Sequence, residues 1–329
     1  MKRTGTLLPL LFAASTYAHG ILHAMTINGQ NYPGNGLSGN GGTTIDSIIR
    51  QVSAQDPVKG ASNTALSCGT GSQPATLIAT ANPGDTLGFN WKGAGGGNWP
   101  HNTGPMLTYL ASCGSTTSDK CDGQSAKWFK IDQVGQVSPG STTWAQAAVM
   151  TGSLAMVKLP SNLAPGNYLV RHEIISLQLA VSMGGAEFYP ACSQIKVGGS
   201  GTGVPSASEL VSLPGAYSDS DPGIYDPNVY NAGSSYTFPG PPVAAFVGSG
   251  GGSTSGNGTT TSGNGTTTST TTGSAPTKPT ATKSKSCKLR QTKSASSSAL
   301  SATGAANATD LYPRHFSRIM RKVVARRSI

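Results

Sequence analysis

Tyr168-Leu-Val-Arg-His-Glu-Ile-Ile-Ser-Leu-Gln-Leu179 and Glu187-Phe-Tyr-Pro-Ala-Cys-Ser-Gln-Ile-Lys-Val197 are the two stretches that decide the fold. Both are rich in β-branched and aromatic residues and are bounded by turn formers, the composition of strands. In the second, Phe188, Pro190 and Cys192 share one parity, the period of two that a strand imposes. Shorter runs of the same character lie at 24–27, 75–79, 86–91, 106–111 and 153–158, the third following the turn Asn82-Pro-Gly-Asp85. Many short strands between turns predict an all-β sandwich or barrel. The whole composition agrees: 44 Gly, 21 Pro and only 11% charged residues exclude a helix-rich or coiled-coil chain.

The net charge of +10 suggests nucleic acid until it is divided by region. Residues 19–247 hold 9 Lys/Arg against 12 Asp/Glu, whereas 248–329 hold 12 Lys/Arg and only Asp310. The main region is slightly acidic, so no nucleic-acid partner is expected for it.

Lys2 and Arg3 precede an apolar run, 7–14, and the small residues Ser15 to Ala18. This is the layout of a secretory signal peptide, 1–18, too short to span a bilayer. The expectation is a secreted, extracellular protein that is not transmembrane and acts as a monomer. Cleavage after Ala18 makes His19 the first residue. An N-terminal His offers its α-amine and its ring Nδ1 to one metal ion, and a third nitrogen from another His completes a set suited to Cu(II).

The domain expected at 19–247 is followed by a Ser/Thr/Gly-rich linker, 248–281, in which Ser-Gly-Asn-Gly-Thr-Thr-Thr occurs twice in succession. Such a segment lacks the apolar surface to fold. Asn257 and Asn264 lie in glycosylation sequons, as does Asn307. A basic extension, 282–329, carries Phe316, Ile319, Met320, Val323 and Val324 at helical spacing, which predicts either a short amphipathic helix or a disordered, processed tail.

Five cysteines occur, at 68, 113, 121, 192 and 287. The first four allow three pairings in an oxidising compartment. Cys113 and Cys121 could close a short loop, leaving Cys68 for Cys192, a closure worth about 4–5 kcal/mol in the chain-entropy account. Cys287 is then left over.

The remaining histidines are His23, His101, His172 and His315. His101 sits in a Gly/Pro loop, Gly97-Asn-Trp-Pro-His-Asn-Thr-Gly-Pro105, a good ligand position on a rigid scaffold. His23 and His172 lie in strands and read as structural. No G-x-S-x-G elbow is present, and acids are too scarce for a convincing glycosidase pair, Glu173 and Glu187 being the strand-borne Glu candidates.

Together these features resemble the fungal, cellulose-active lytic polysaccharide monooxygenases. The resemblance is carried by Ala18-His19-Gly20, by His101 with Gly104-Pro105 and Leu107-Thr-Tyr-Leu110, by Pro165-Gly-Asn-Tyr-Leu-Val-Arg-His-Glu-Ile-Ile175, by Gly185-Ala-Glu-Phe-Tyr-Pro-Ala-Cys192, and by Pro214-Gly-Ala-Tyr217 with Asp221-Pro-Gly223 and Gly240-Pro-Pro-Val243. It implies a fibronectin/immunoglobulin-like β-sandwich with long loops, followed by the disordered linker and basic tail. It also implies one copper ion held by the amine and Nδ1 of His19 and Nε2 of His101, with Tyr189 axial. The disulfides implied are Cys68–Cys192 and Cys113–Cys121. The implied reaction is oxidative scission of β-1,4-glucan, cellulose or a relative, at C1 and/or C4. It uses O₂ or H₂O₂ and an electron donor, either a small reductant or a secreted dehydrogenase. Tyr217, Tyr225 and Tyr32 are the aromatics expected to stack on sugar rings, Tyr217 matching the family's loop best.

This chain departs from the family where a His and a Gln are usual beside the metal, carrying Gln178 and Glu187 instead. The two are expected to face each other across a hairpin and to alter oxygen handling or pH dependence, because an amide cannot relay protons as imidazole can and a carboxylate adds charge. The rival expectation is a copper-binding or cell-wall polysaccharide-binding protein without turnover. A hydrolase is third.

Overall fold

A computed structural model describes residues 19–248. The signal peptide, the linker beyond Gly248, the basic extension, the three sequons, Cys287 and His315 lie outside the described residues. Within them the strands are β1 (Gly20–Ile27), β2 (Gln30–Pro33), β3 (Ala79–Ala81), β4 (Thr86–Gly93), β5 (Met106–Ser112), β6 (Trp128–Val134), β7 (Ala155–Lys158), β8 (Gly166–Ser176) and β9 (Glu187–Val197). They form a four-stranded sheet, β2-β1-β4-β7, and a five-stranded sheet, β3-β9-β8-β5-β6. Every pairing is antiparallel except β3 with β9. This is the all-β sandwich read from the sequence. Among the described residues no helix is long and apolar enough to cross a membrane.

One core lies between the sheets and gathers Leu22, Met25, Phe89, Leu110, Val170 and Ile195. A second lies on the outer face of the five-stranded sheet, where Leu107, Leu169, Phe188 and Cys192 meet Leu66, Trp144 and Leu213 from the long loops. Strand β9 is therefore enclosed on both faces: Tyr189, Ala191, Ile195 and Val197 turn to the inter-sheet core, Phe188 and Cys192 to the loop-covered one. Double burial removes the polar half of the alternation, which explains why the period was visible only on one parity.

Several boundaries differ from the sequence reading. Strand β1 starts at Gly20 rather than at 24. It carries a bulge between Leu22 and Ala24 that leaves His23 exposed. The segment expected to be a strand at 75–79 is not one, because the Gln194 side-chain amide satisfies Ala75 and the Leu77 carbonyl in place of a neighbouring strand. Strand β8 stops at Ser176, where Leu177 N–H turns away to the Thr103 carbonyl. Strands β2 and β6 were not anticipated. For β2 the signal existed: Asn28-Gly29, both at positive φ, is the two-residue hairpin turn that joins it to β1.

Cys68 pairs with Cys192, and Cys113 with Cys121. The first bridge ties β9 to the 64–68 turn, whose Leu66 and Ser67 carbonyls accept from the buried Arg171 guanidinium. Arg171 in turn makes a two-pronged pair with Glu173, at 3.0 and 2.6 Å. A buried charge persists only when it is paired and hydrogen-bonded in this way.

His172 is structural. Its Nδ1 accepts from the Trp91 indole at 3.1 Å, and its ring stacks on Phe89. Burial, then the neighbouring Arg171 charge, lowers its pKa to about 3. The unfolded ring takes up its proton near about pH 6.5. Stability from the neutral ring is therefore complete above that pH and is lost as pH falls toward 3. His172→Gln is expected to be less stable than the parent at pH 7 but to lose stability less steeply between pH 6.5 and 3. Urea titrations at several pH values, followed by tryptophan fluorescence, read this directly, and parallel slopes for the two proteins would contradict it.

Candidate metal centre

One end of the sandwich gathers the start of β1, the end of β4, the start of β5, the end of β8 and the start of β9, as the pairs Gly20–Gly93, Met106–Ile174 and Ser176–Glu187 require. His19 enters there, its carbonyl accepting from Ala94 N–H at 2.7 Å. The next residue has to be glycine: a Cβ on Gly20 would lie 2.2 Å from the Lys92 carbonyl oxygen and 2.9 Å from the Trp99 ring.

The loop after β4 brings His101 to the same end. Gly104, at φ +128°, passes so close to β8 that a Cβ would meet the Ile175 carbonyl oxygen. Gln146, fully buried, clamps this crossing by donating to the carbonyls of Gly104 and Ile175 and accepting from the Trp99 indole, each at 3.3 Å. Trp99 stands edge-on to both His101 and Tyr189, with ring centroids 5.3 and 4.8 Å away, and so joins the loop to β9.

His101 is only 4% exposed. Its Nδ1 lies 2.5 Å from the Gln178 amide oxygen, and its Nε2 lies 3.1 Å from the Tyr189 hydroxyl. A carbonyl oxygen can only accept, so Nδ1 carries the ring proton and Nε2 presents its lone pair. The Tyr189 hydroxyl donates its one proton to Glu187 Oε2 at 3.0 Å. Burial first, and then the Glu187 carboxylate, hold that phenol proton well above the usual range. Glu187 is fixed on its other side by Lys59 Nζ, 3.2 Å from Oε1. His19 Nδ1 lies 2.8 Å from Asp56 Oδ1, whose side chain is 68% exposed; a carboxylate only accepts, so this nitrogen has to give up its bond to Asp56 before it can act as a ligand.

Gln178 and Glu187 do not face each other. Ser176 is the residue opposite Glu187 because β8 has already ended, and Gln178, two residues further on, reaches His101 instead. Tyr217 also requires correction. At 7% exposure it is buried, and its hydroxyl donates to Glu173 at 2.8 Å and lies 3.0 Å from the Tyr109 hydroxyl, from which it can accept. The buried Glu173 carboxylate needs donors, and Tyr217 supplies one, so its ring cannot stack on a sugar. Tyr32 and Tyr225 are half-buried, Tyr32 packing against the inter-sheet core.

The exposed aromatic beside the centre is Tyr230, 54% exposed, which donates to the Gln178 carbonyl at 2.7 Å. Sequence reasoning missed it, although it closes the same polar loop, 221–230, as Tyr225. Asp56, Lys59, Trp99 and Gln146 were missed as well, since no motif surrounds them.

The residues fit the copper that the resemblance implies. Nε2 of His101 is a lone-pair donor by its tautomer, and Tyr189 adds an oxygen beside it. The Asp56 carboxylate at Nδ1 of His19, together with Glu187, makes the surroundings favourable to a cation. Among the described residues no three His, Cys, Asp or Glu side chains are gathered for a metal. A set of two imidazoles, one α-amine and one phenol needs no such cluster.

Comparison with known proteins gives the same family. The model of Auxiliary Activity family 9 (formerly GH61) matches residues 19–237. The chain is 45% identical to AA9 family lytic polysaccharide monooxygenase D of Gloeophyllum trabeum over 325 residues, covering 93% of this chain and 91% of that one. It is 40% identical to monooxygenase D of Thermothelomyces thermophilus over 244 residues, 71% of this chain and 91% of that one. Among solved structures, a cellulose-active polysaccharide monooxygenase from M. thermophila aligns with a TM-score of 0.60 at 39% identity, over 68% of this chain and 98% of that one. The extended catalytic domain of H. jecorina LPMO9A aligns with a TM-score of 0.62 at 33% identity, over 69% and 91%. The chain belongs to Auxiliary Activity family 9, the copper-dependent lytic polysaccharide monooxygenases that cleave polysaccharides oxidatively.

Proposed function

We propose that this protein is a secreted, monomeric monooxygenase in which the α-amine and Nδ1 of His19 and Nε2 of His101 would hold one copper ion beside the Tyr189 hydroxyl. Its reaction is cleavage of cellulose or a related β-1,4-glucan at C1 and/or C4 with O₂ or H₂O₂, driven by an external electron donor. The observation that carries this reading is His101, turned so that Gln178 takes Nδ1 and Nε2 faces Tyr189. When bound, copper supplies the one-electron and oxygen chemistry that no side chain here can perform.

The chain's own residues orient and protect. Gln178 fixes the His101 ring, as a partner behind a metal ligand does. Trp99 and Gln146 hold the His101 loop against β9. Tyr189 stays a neutral phenol because Glu187 keeps its proton in place. Glu187 Oε2, 3.5 Å from His101 Nε2, is the group beside the centre able to take or give a proton. Tyr230 offers its exposed ring to a pyranose face.

The defining experiment uses protein whose N-terminus is shown to be His19 by mass spectrometry. It is loaded with copper and given ascorbate and swollen cellulose, and the soluble sugars are analysed by mass spectrometry. Aldonic-acid or 4-keto oligosaccharides are expected. Tight copper binding with no oxidised product, on cellulose or hemicellulose, would favour the rival role of a non-catalytic copper- or wall-binding protein.

Two variants sharpen the assignment. Gln178→Ala is expected to weaken copper binding by about 10–100-fold without unfolding the metal-free protein, read by competition calorimetry and thermal melting. Tyr230→Ala is expected to weaken binding of metal-free protein to cellulose by about 3–10-fold while leaving copper affinity unchanged, read in a pull-down isotherm.

A further inference from the structure

The turn between β8 and β9 carries a second feature besides Gln178. Leu179, Val181 and Met183 are all exposed on it, next to the exposed ring of Tyr230. The turn is held in place: Lys59 Nζ donates to the Gly185 carbonyl at 3.0 Å, Asp226 N–H to the Ala180 carbonyl at 3.0 Å, and the Tyr230 hydroxyl to the Gln178 carbonyl. Three large aliphatic side chains kept in water on a fixed turn form an apolar rim that is continuous with the surface assigned to the polymer. The axial C–H face of a β-glucan ribbon is the apolar surface that such a rim matches.

Met183 gives this rim a chemical weakness. Thioethers are oxidised by peroxide according to their exposure, and sulfoxidation turns an apolar side chain into a polar one. Met25 and Met106 are shielded in the inter-sheet core. Met183 is 56% exposed and lies four residues before Glu187, at most about 14 Å of extended chain from it. Met156 provides a natural comparison. It is 57% exposed but pairs with Gly88, five residues along β4 from Gly93, about 17 Å from the end that holds His19.

We propose that Met183 is a peroxide-sensitive modification site on the substrate rim, and that its sulfoxidation makes the rim polar and loosens the enzyme's hold on glucan. In the reaction one oxygen of H₂O₂ is transferred to sulfur. The O–O bond breaks, an S–O bond forms, the sulfide is oxidised by two electrons, and the peroxide's other oxygen leaves as water. The peroxide is that formed or consumed at the metal centre, so the proposal rests on the function proposed above. Peroxide accumulating during unproductive turnover would then oxidise a residue that keeps the enzyme on its substrate.

The test maps sulfoxide by peptide mass spectrometry in the full chain. Metal-free protein treated with added H₂O₂ is expected to oxidise Met183 and Met156 at rates within about twofold, as their equal exposure requires. Copper-loaded protein with ascorbate and O₂ is expected to form sulfoxide at Met183, and catalase to suppress it, since free H₂O₂ is the oxidant. Absence of Met183 sulfoxide in both arms, or its formation with no loss of cellulose adsorption by the metal-free protein, would overturn the proposal. Binding is read separately on metal-free protein: Met183→Gln is expected to weaken adsorption to cellulose several-fold and Met183→Leu to preserve it, and equal adsorption of the two variants would also overturn it. Oxidised sugars from the unmodified enzyme alongside an unoxidised Met183 reject this proposal alone. Absence of oxidised sugars rejects the reading of the centre and this proposal with it.

Discussion

The register of β8 against β9 is the constraint on which the rest of the structure depends. Eleven consecutive antiparallel pairs run from Gly166–Val197 to Ser176–Glu187. Side chains alternate with a period of two, so a slip by one residue would exchange every occupant of the two cores. Tyr189 would turn from the inter-sheet core to the loop-covered face, and Phe188 would take its place beside His101. The Cys68–Cys192 bridge fastens β9 to the 64–68 turn, and the Arg171 bonds to the Leu66 and Ser67 carbonyls fasten β8 to the same turn, so together they hold the register.

The same ladder explains how much could be read in advance. The bounds of β9 were legible because its residues are strand formers throughout and its ends carry turn signals. The alternation was weak because both faces are enclosed, so no polar parity marks an outside. The four-stranded sheet was harder: β1 starts at Gly20, beside the expected cleavage point, and β2 is only four residues long. His101 and Tyr189 were legible as candidates, since a loop His and a strand Tyr sit in recognisable surroundings. Asp56 and Lys59 were not, because they reach the centre from a loop more than a hundred residues distant in sequence from Glu187. Tyr217 was misread for a related reason. A carboxylate buried in another strand, which the chain order does not reveal, recruits its hydroxyl inward.

Two kinds of polar group are thus placed at different depths. Arg171, Glu173, Tyr217 and Tyr109 are buried together on the loop-covered face. Lys130 is buried beside them with its pKa pushed down to about 7 by burial, the Glu173 charge offsetting part of that, and donates to the Pro239 carbonyl. These groups fasten the late loops, 211–244, onto the sheet. Asp56, Lys59, Glu187 and Gln178 lie at the mouth of the sandwich instead, where side chains can exchange partners. The loops bearing Tyr230 therefore rest on a rigid electrostatic base, although they form the surface proposed to meet the polymer.

In β9 only Lys196 is exposed and only Glu187 is half-exposed, the other nine side chains being buried. A strand so enclosed has almost no neutral positions, since nearly any substitution alters a packed volume on one side or the other. Mutational drift is then confined to the loops and to the two positions at the strand's margins. One of those, Glu187, touches the candidate centre, so one of the two places where this strand is free to vary is also a place where variation is felt by the chemistry. The fold itself channels evolutionary change toward reactivity and surface specificity, and away from the framework.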